Sequence, residues 1–212
     1  MKLIVLGASG WIGSHIVAEA KSRGHEITAL VRAHDKYDVP NVTAKSFDLN
    51  NPSNNLSALI SEETVFVAAI GGRALGNHEI VKNTAERLLN ELPSTNIERL
   101  LWVGGAGSLE VAPNLKLIDT SEFPAEYKDE AIAQGEALDV FKQSNSPLNW
   151  TFISPAAEIF PGDKLNQYRT GAEQLITDEQ GNSRISVADY AVAFVDEIEK
   201  AAHINTRMGV AY

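Results

Sequence analysis

The stretch LGASGWIG, residues 6–13, constrains the fold more than any other part of the sequence. Gly7, Gly10 and Gly13 recur at intervals of three directly after the apolar run KLIVL (2–6), and a helical pattern follows. A strand, a glycine-rich turn and a helix N-terminus in this order form a phosphate cradle, because backbone N–H groups and the helix dipole favour anions there. The spacing is G-x-x-G-x-x-G rather than G-x-G-x-x-G, and a simple tight turn is the alternative interpretation.

The rest of the chain alternates apolar runs with helical patterns. Strands are predicted at 2–6, 27–31, 42–47, 64–70, 98–105 and 150–154, helices at 11–23, 79–92, 125–143 and 187–200, and an irregular connection at 106–124. Nearly all-apolar strands joined through helices form a parallel sheet covered on both faces. The sequence therefore predicts an α/β fold, a Rossmann-type doubly wound parallel sheet. We expect one domain over 1–212, with 1–154 as its core and 155–212 as a small C-terminal cap.

Composition and charge exclude several classes of function. The absence of cysteine excludes disulfides, thiolate metal sites and cysteine nucleophiles, and the formal net charge of -10 argues against a nucleic-acid-binding surface. No stretch reaches the roughly 18 apolar residues of a membrane span. MKLIV (1–5) enters a strand at once, which leaves no room for a signal peptide. With no metal-ligand spacing among His, Asp and Glu either, we expect a cytoplasmic protein without metal, membrane or nucleic-acid partner.

The residue after the second predicted strand bears on which dinucleotide the loop would hold. NAD-binding domains usually place an acidic residue about 20 residues beyond the glycine loop, where it binds the ribose 2′-hydroxyl. Here that position is Arg32, whose guanidinium suits the 2′-phosphate of NADP and cannot replace a carboxylate. The alternatives are a solvated arginine without a ligand, and an Asp35 that turns inward and favours NAD. We expect NADP, with NAD as the alternative.

The glycine loop, LVR (30–32) and FDL (47–49) resemble the atypical short-chain dehydrogenase/reductase superfamily. More narrowly, RLLWVGGAGSLEV (99–111), FPAEYKDEA (123–131), WTFISPAAEIFPG (150–162) and RISVADYAVAFVDEIE (184–199) are similar to blocks of its NmrA-like, biliverdin-reductase-B-like group, often described as NADH-flavin reductases. The resemblance implies an NAD(P)H-dependent oxidoreductase. It also implies these cofactor contacts: Gly7, Ser9, Gly10, Trp11, Ile12 and Gly13 at the pyrophosphate; Arg32 at the 2′-phosphate; Asp48 and Leu49 beside the adenine; Ala69, Ile70 and Gly71 near the adenosine ribose; Gly104, Gly105 and Ala106 beside the nicotinamide ribose; Pro155 and Ala156 at the nicotinamide.

The sequence departs from this superfamily at its catalytic pair. The better-known dehydrogenases carry Tyr-x-x-x-Lys, in which the lysine lowers the pKa of the tyrosine; here Tyr127 is followed four residues later by Ala131. The adjacent Lys128 does not replace that lysine, because helix neighbours at i and i+1 point in different directions. Two catalytic candidates remain, Ser108 in GGAGS and Tyr127. Their alternatives are a serine that satisfies its own turn and a half-buried helix aromatic.

These observations favour one function over two alternatives. The main hypothesis is an enzyme, an NADPH-preferring oxidoreductase that transfers hydride to a flavin-like or quinone-like small molecule, which requires little acid–base machinery. Its cleft would be lined by Trp11, Ala106, Ala156, Ile159 and Phe160, and the loop GGRALGN (71–77) would either close over the cofactor or only connect two elements. The alternative is a non-catalytic NAD(P)-sensing regulator resembling NmrA. A sugar-nucleotide epimerase is least favoured because the Tyr/Lys pair is missing, and a monomer or a homodimer both remain open.

Overall fold

The computed structural model describes residues 1–51, 53–73 and 76–212, so Ala74 and Leu75 of the GGRALGN loop lie outside the described residues, as does Pro52. Its strands are β1 (Lys2–Leu6), β2 (Glu26–Val31), β3 (Thr43–Ser46), β4 (Val65–Ala68), β5 (Arg99–Val103), β6 (Glu110–Ala112), β7 (Leu115–Lys116), β8 (Asn149–Ser154), β9 (Glu158–Phe160), β10 (Arg169–Gly171), β11 (Arg184–Ser186) and β12 (Thr206–Ala211). Its α-helices are α1 (Trp11–Ser22), α2 (Glu79–Glu91), α3 (Lys128–Gln143) and α4 (Val187–Lys200).

One 8-stranded sheet, in the order β10-β12-β8-β5-β4-β1-β2-β3, forms the centre of the molecule. In this spatial order, every pair of adjacent strands from β12 across to β3 is parallel. The edge strand β10 pairs with β12 in the antiparallel direction. The chain winds outward from β1 in one direction through β2 and β3, and then in the other direction from β4 onward. The predicted Rossmann-type α/β fold is confirmed. Ligands of such sheets bind outside the carboxyl ends of the strands, where the winding reverses.

Alternate residues of each strand face two separate cores. In β1, Leu3 and Val5 pack into the core that contains α1 and α4, whereas Ile4 and Leu6 pack into the core that contains α2 and α3. Because the central strands are apolar on both faces, their sequences are continuous apolar runs rather than alternating patterns. This is why the strands were recognisable from the sequence.

Two of the predicted helix boundaries have visible causes. The Ser186 hydroxyl accepts a hydrogen bond from the backbone N–H of Asp189 at 3.0 Å and so caps α4. Gly24 follows α1 with φ +82°, the left-handed conformation that commonly ends helices. In the described ranges, no helix is both long and apolar enough to cross a membrane.

The region after β8 differs in its second half from the expected cap. Residues 155–159 do border the carboxyl edge of the sheet, and β9 pairs with β11 in a small separate sheet. However, α4 packs against α1, and β12 extends the main sheet beside β8. The apolar run MGVAY (208–212) forms most of β12 because both of its faces are buried. The irregular connection at 106–124 also contains a short hairpin, β6–β7.

Candidate functional site

The glycine loop after β1 is shaped by close backbone packing. Gly7 has φ +81°, and a Cβ atom there would lie 2.1 Å from the carbonyl oxygen of Ala69. A Cβ atom on Gly13 would lie 2.1 Å from the carbonyl oxygen of Gly7. Both positions therefore require glycine, because any side chain would push the start of α1 away from the ends of β1 and β4.

The first turn of α1 presents backbone donors at the mouth of this loop. Gly10 is the N-cap residue, and the N–H of Ser14 donates the first hydrogen bond of the helix to the Gly10 carbonyl at 2.8 Å. Within the described residues, the N–H groups of Trp11, Ile12 and Gly13 have no backbone acceptor. A helix N-terminus with unpaired N–H groups and no side-chain cap fits a phosphate group.

A cleft of about 720 Å³ runs from this loop across the carboxyl ends of β1, β4, β5 and β8 to the start of α3. Most of the residues named by the family resemblance line it: Gly10, Trp11, Ile12, Gly13, Ala69, Ile70, Gly71, Gly104, Gly105, Ala106, Pro155 and Ala156. They come from four separate segments of the chain. The structure thus brings these four segments together around one cleft.

The other named residues lie beside the cleft rather than along it. Gly7 and Ser9 belong to the turn itself, and Arg32 is exposed directly after β2. The Asp48 carboxylate accepts a hydrogen bond from the backbone N–H of Asn50 at 3.0 Å. Leu49 lines a separate cavity of about 170 Å³ at the start of α2. These positions surround the ends of β2 and β3, the side of the sheet where the adenosine half is expected.

Ser108 does not line the cleft, contrary to its predicted place in the active site. Its hydroxyl accepts a hydrogen bond from Arg207 Nη2 at 2.6 Å, and its carbonyl oxygen accepts one from Arg207 Nη1 at 3.1 Å. Arg207 belongs to β12 and is 1% exposed, and burial lowers the pKa of its guanidinium. A buried guanidinium requires acceptors, and Arg207 finds two of them on Ser108. These hydrogen bonds anchor the GGAGS loop to β12.

Phe160 also lies away from the cleft, although Trp11, Ala106, Ala156 and Ile159 line it as expected. Its ring packs against the ring of Tyr212, with the centroids 6.4 Å apart, and beneath the guanidinium of Arg184. Successive residues of a strand point to opposite sides, and in β9 this places Ile159 toward the cleft and Phe160 away from it.

Tyr127 does reach the cleft, at the entrance to α3. Its ring is 46% exposed, and the guanidinium of Arg73 lies 4.2 Å from the ring centroid. This cation–π contact joins the loop after β4 to the start of α3 across the cleft. Tyr127 is thus a half-buried aromatic at the start of α3 that lines the cleft, and it has no lysine four residues along the chain.

Glu130 is a cleft residue that the sequence did not single out. Its Oε2 accepts hydrogen bonds from the backbone N–H groups of Gly72 and Arg73, both at 2.9 Å, and lies 3.1 Å from His78 Nδ1. Its Oε1 accepts a hydrogen bond from Gln134 Nε2 at 3.3 Å. The carboxylate therefore fixes the loop after β4 to α3. This explains Gly71 as well, because a Cβ atom there would lie 2.8 Å from Glu130 Oε1.

Gln134 continues this network into the core. Its Oε1 accepts a hydrogen bond from the buried Trp102 Nε1 at 3.0 Å, and its Nε2 also lies 3.2 Å from the carbonyl oxygen of Ile70. Glu130 and Gln134 are four residues apart, so they share one face of α3. That spacing was the one available signal in the sequence, but their partners in the loop after β4 and on β5 are distant along the chain.

The described residues contain no group of three or more His, Cys, Asp or Glu side chains arranged to hold a metal ion. The lining of the cleft is predominantly apolar, with backbone donors at one end and a few polar side chains at the other. Such a lining suits a ligand with a phosphate-bearing half and a flat, weakly polar half.

A doubly wound parallel sheet with a glycine loop at its first strand and a cleft across its switch point defines a dinucleotide-binding Rossmann protein. Comparison with protein families makes this assignment narrower. The chain belongs to the NAD(P)H-binding family, whose model matches residues 7–198.

Similar proteins cover nearly the whole chain. Protein YwnB of Bacillus subtilis is 40% identical over 213 residues, which are 99% of this chain and 98% of YwnB. A solved structure from Burkholderia pseudomallei, provisionally described as an exported protein, has a TM-score of 0.90 and 43% identity, and covers 100% of both chains. SP1627 of Streptococcus pneumoniae, provisionally described as an NADH-flavin reductase, has a TM-score of 0.90 and 36% identity, over 100% of this chain and 99% of SP1627.

Proposed function

We propose that this protein is an NAD(P)H-dependent reductase that delivers hydride to a flat small-molecule acceptor of the flavin or quinone class. The observation that carries the proposal is the shape of the cleft. The glycine loop offers backbone N–H donors for a phosphate group. The rest of the cleft lining is mostly apolar. The provisional description of SP1627 as an NADH-flavin reductase points to the same chemistry.

The chain's own residues would bind and orient the two reactants. The N–H groups at the start of α1 would hold the pyrophosphate, and the glycines after β5 would leave room for the nicotinamide half. A bound nicotinamide cofactor would supply the hydride. Trp11, Tyr127 and Ile159 would form apolar walls that exclude water and hold the acceptor ring near the cofactor ring.

The polar side chains in and near the cleft agree with hydride transfer to an acceptor that needs little general acid–base catalysis. Ser108 is not among the residues that line the cleft and its hydroxyl accepts a hydrogen bond from Arg207, while Tyr127 stacks with Arg73 and has no lysine four residues along the chain. Glu130 already accepts hydrogen bonds on both oxygens. We therefore assign no general acid among these residues, and we propose that Ser108 acts structurally, through the GGAGS loop.

The direct test is an assay with purified protein, NADPH or NADH, and a panel of FMN, FAD, biliverdin and quinones. Loss of the nicotinamide absorbance band on adding at least one acceptor is the expected result. Tight cofactor binding without turnover of any acceptor would instead support the second candidate, a non-catalytic NAD(P)-sensing protein. The observation that favours this second candidate is the hydrogen bond from Arg207 to Ser108, which gives the serine a structural role.

We further propose that NADPH is preferred, because exposed Arg32 follows β2 where the 2′-phosphate would lie. Replacing Arg32 with alanine should weaken NADPH binding by about tenfold, the value of one charge-assisted hydrogen bond. Binding of NADH, which lacks the phosphate, should change by less than about twofold by the same reasoning. Titration of both cofactors against wild type and Arg32→Ala checks this, and an unchanged NADPH-to-NADH ratio would contradict it.

A further inference from the structure

We propose that Arg73 is the residue that selects the acceptor, by binding an anionic group, carboxylate or phosphate, carried by a flat aromatic ring. This inference rests on the proposed reductase function and names its substrate class more closely. Arg73 lines the cleft from the loop after β4, and its side chain would supply the charge that the backbone donors of the glycine loop do not carry.

The acceptor end of the cleft is built for an aromatic ring. The apolar side chains that line the cleft include Trp11, Leu117, Phe123, Tyr127 and Ile159. Two of them are large aromatics left substantially exposed: Trp11 is 45% exposed and Tyr127 is 46% exposed. Large apolar side chains exposed around a concave surface indicate a ligand that covers them.

The charges that line the cleft leave a single unmatched cation. Among the lining residues in the described ranges, the charged ones are Arg73, Glu130 and Glu158. The Glu158 carboxylate is paired with Arg184 at 2.7 Å, and Glu130 is held by two backbone N–H groups and by His78. The ion pairs found among the described residues do not include the Arg73 side chain. In a protein with a formal net charge of -10, this makes Arg73 a local site for an anion.

Arg73 is also held in place from two sides. Its backbone N–H donates to Glu130 Oε2 at 2.9 Å, and its guanidinium lies 4.2 Å from the Tyr127 ring centroid. A guanidinium that stacks on a ring keeps its N–H edges available for oxygen atoms, and it binds carboxylate or phosphate with two parallel hydrogen bonds. The stacked arrangement therefore positions an anion-binding group beside the apolar walls before any ligand arrives.

FMN and riboflavin test this directly, because they share one ring system and differ only in the phosphate. Protein saturated with NADP is titrated with each flavin, and binding is followed by flavin fluorescence. We expect FMN to bind wild type about tenfold more tightly than riboflavin, the size of one charge-assisted contact. In Arg73→Gln this ratio should fall to about one while NADPH affinity stays unchanged.

Lys128→Gln is the matched control, because exposed Lys128 follows Tyr127 directly and the change removes the same formal charge. It should keep the wild-type flavin ratio. An equal loss of preference in both variants would show a general charge effect and overturn the proposal. A parallel loss of NADPH affinity in Arg73→Gln would place Arg73 on the cofactor and overturn it as well.

A second pair of probes separates this inference from the reductase function. The anion 1-anilinonaphthalene-8-sulfonate and the neutral N-phenyl-1-naphthylamine are aromatic, fluorescent and not reduced by NADPH. A preference of wild type for the anion that Arg73→Gln loses would support the inference even if no flavin were reduced. If neither pair shows a charge preference, or neither binds, the inference fails whatever the reductase assay gives.

Discussion

Replacing Gly13 with alanine is expected to remove cofactor binding and to destabilise the fold. The added Cβ would lie 2.1 Å from the carbonyl oxygen of Gly7, and that oxygen belongs to backbone that cannot rotate away. Overpacking of this kind costs about 1–3 kcal/mol or more. For a chain of this size, about 3 kcal/mol corresponds to a melting temperature roughly 6–12 °C lower.

The start of α1 must move to relieve this contact, and with it the N–H groups proposed for the pyrophosphate. We therefore expect NADPH affinity to fall by more than about tenfold even where the variant is folded, since about 1.4 kcal/mol of lost contacts gives that factor. Thermal unfolding and NADPH titration below the melting temperature measure the two effects separately.

Gly135→Ala is the control, because Gly135 also lies in a helix but its nearest neighbour to a new Cβ is Ser108 Cβ at 3.9 Å. That variant should be as stable as wild type or more stable by about 0.5–1 kcal/mol, since alanine is the better helix residue. Equal behaviour of the two variants would contradict the steric explanation for Gly13.

Replacing Arg99 with methionine is expected to give the largest loss of stability among the variants considered. Arg99 and Glu197 form a buried ion pair, with Arg99 Nη2 and Glu197 Oε1 3.0 Å apart and the side chains 10% and 2% exposed. Arg99 Nη1 also donates to the carbonyl oxygens of Glu197 and Ile198 at the end of α4. Removing one partner of a buried ion pair costs about 3–5 kcal/mol. Glu197 keeps the hydrogen bond from the backbone N–H of His203 at 3.0 Å and the contact with His203 Nδ1 at 2.8 Å, so we expect a loss toward the lower end of this range.

The double variant Arg99→Met with Glu197→Leu should recover part of this loss, because it also removes the buried carboxylate that has lost Arg99. Urea unfolding of the two single variants and the double variant measures the coupling. Arg99 is the first residue of β5, so it lies at the amino ends of the strands, whereas the cleft lies at their carboxyl ends. NADPH affinity should therefore remain within about twofold of wild type. A double variant less stable than either single variant would show that the pair is not coupled in this way.

The elements of the fold were predictable because their causes are local. Continuous apolar runs indicated β1, β5 and β8, and Ser186 marked the start of α4 by its own hydroxyl. The strand β12 was missed because its apolar run follows a helix near the end of the chain and was grouped with the expected cap. Local patterns identify elements, but they do not tell which sheet edge an element will join.

The site was predictable only where backbone shape determines it. The glycine loop was predicted from its spacing, and the glycines after β5 were predicted from the family resemblance; both sets contribute to the lining of the cleft. The hydrogen bond between Ser108 and Arg207 could not be predicted because Arg207 lies 99 positions away along the chain. Glu130 was missed for the same reason: its loop partners lie 57 and 58 positions away and use backbone N–H groups, which carry no residue signature.

The position of β12 sets the order in which the molecule can be completed during synthesis. It pairs with β8 on one side and carries Arg207, which anchors the loop after β5. Until residues 206–211 have left the ribosome, β8 has an open edge, and the hydroxyl and carbonyl oxygens of Ser108 lack their donor Arg207. The nascent chain can thus form the glycine loop and its neighbouring strands early, whereas β8 is paired on both sides only when this late strand docks.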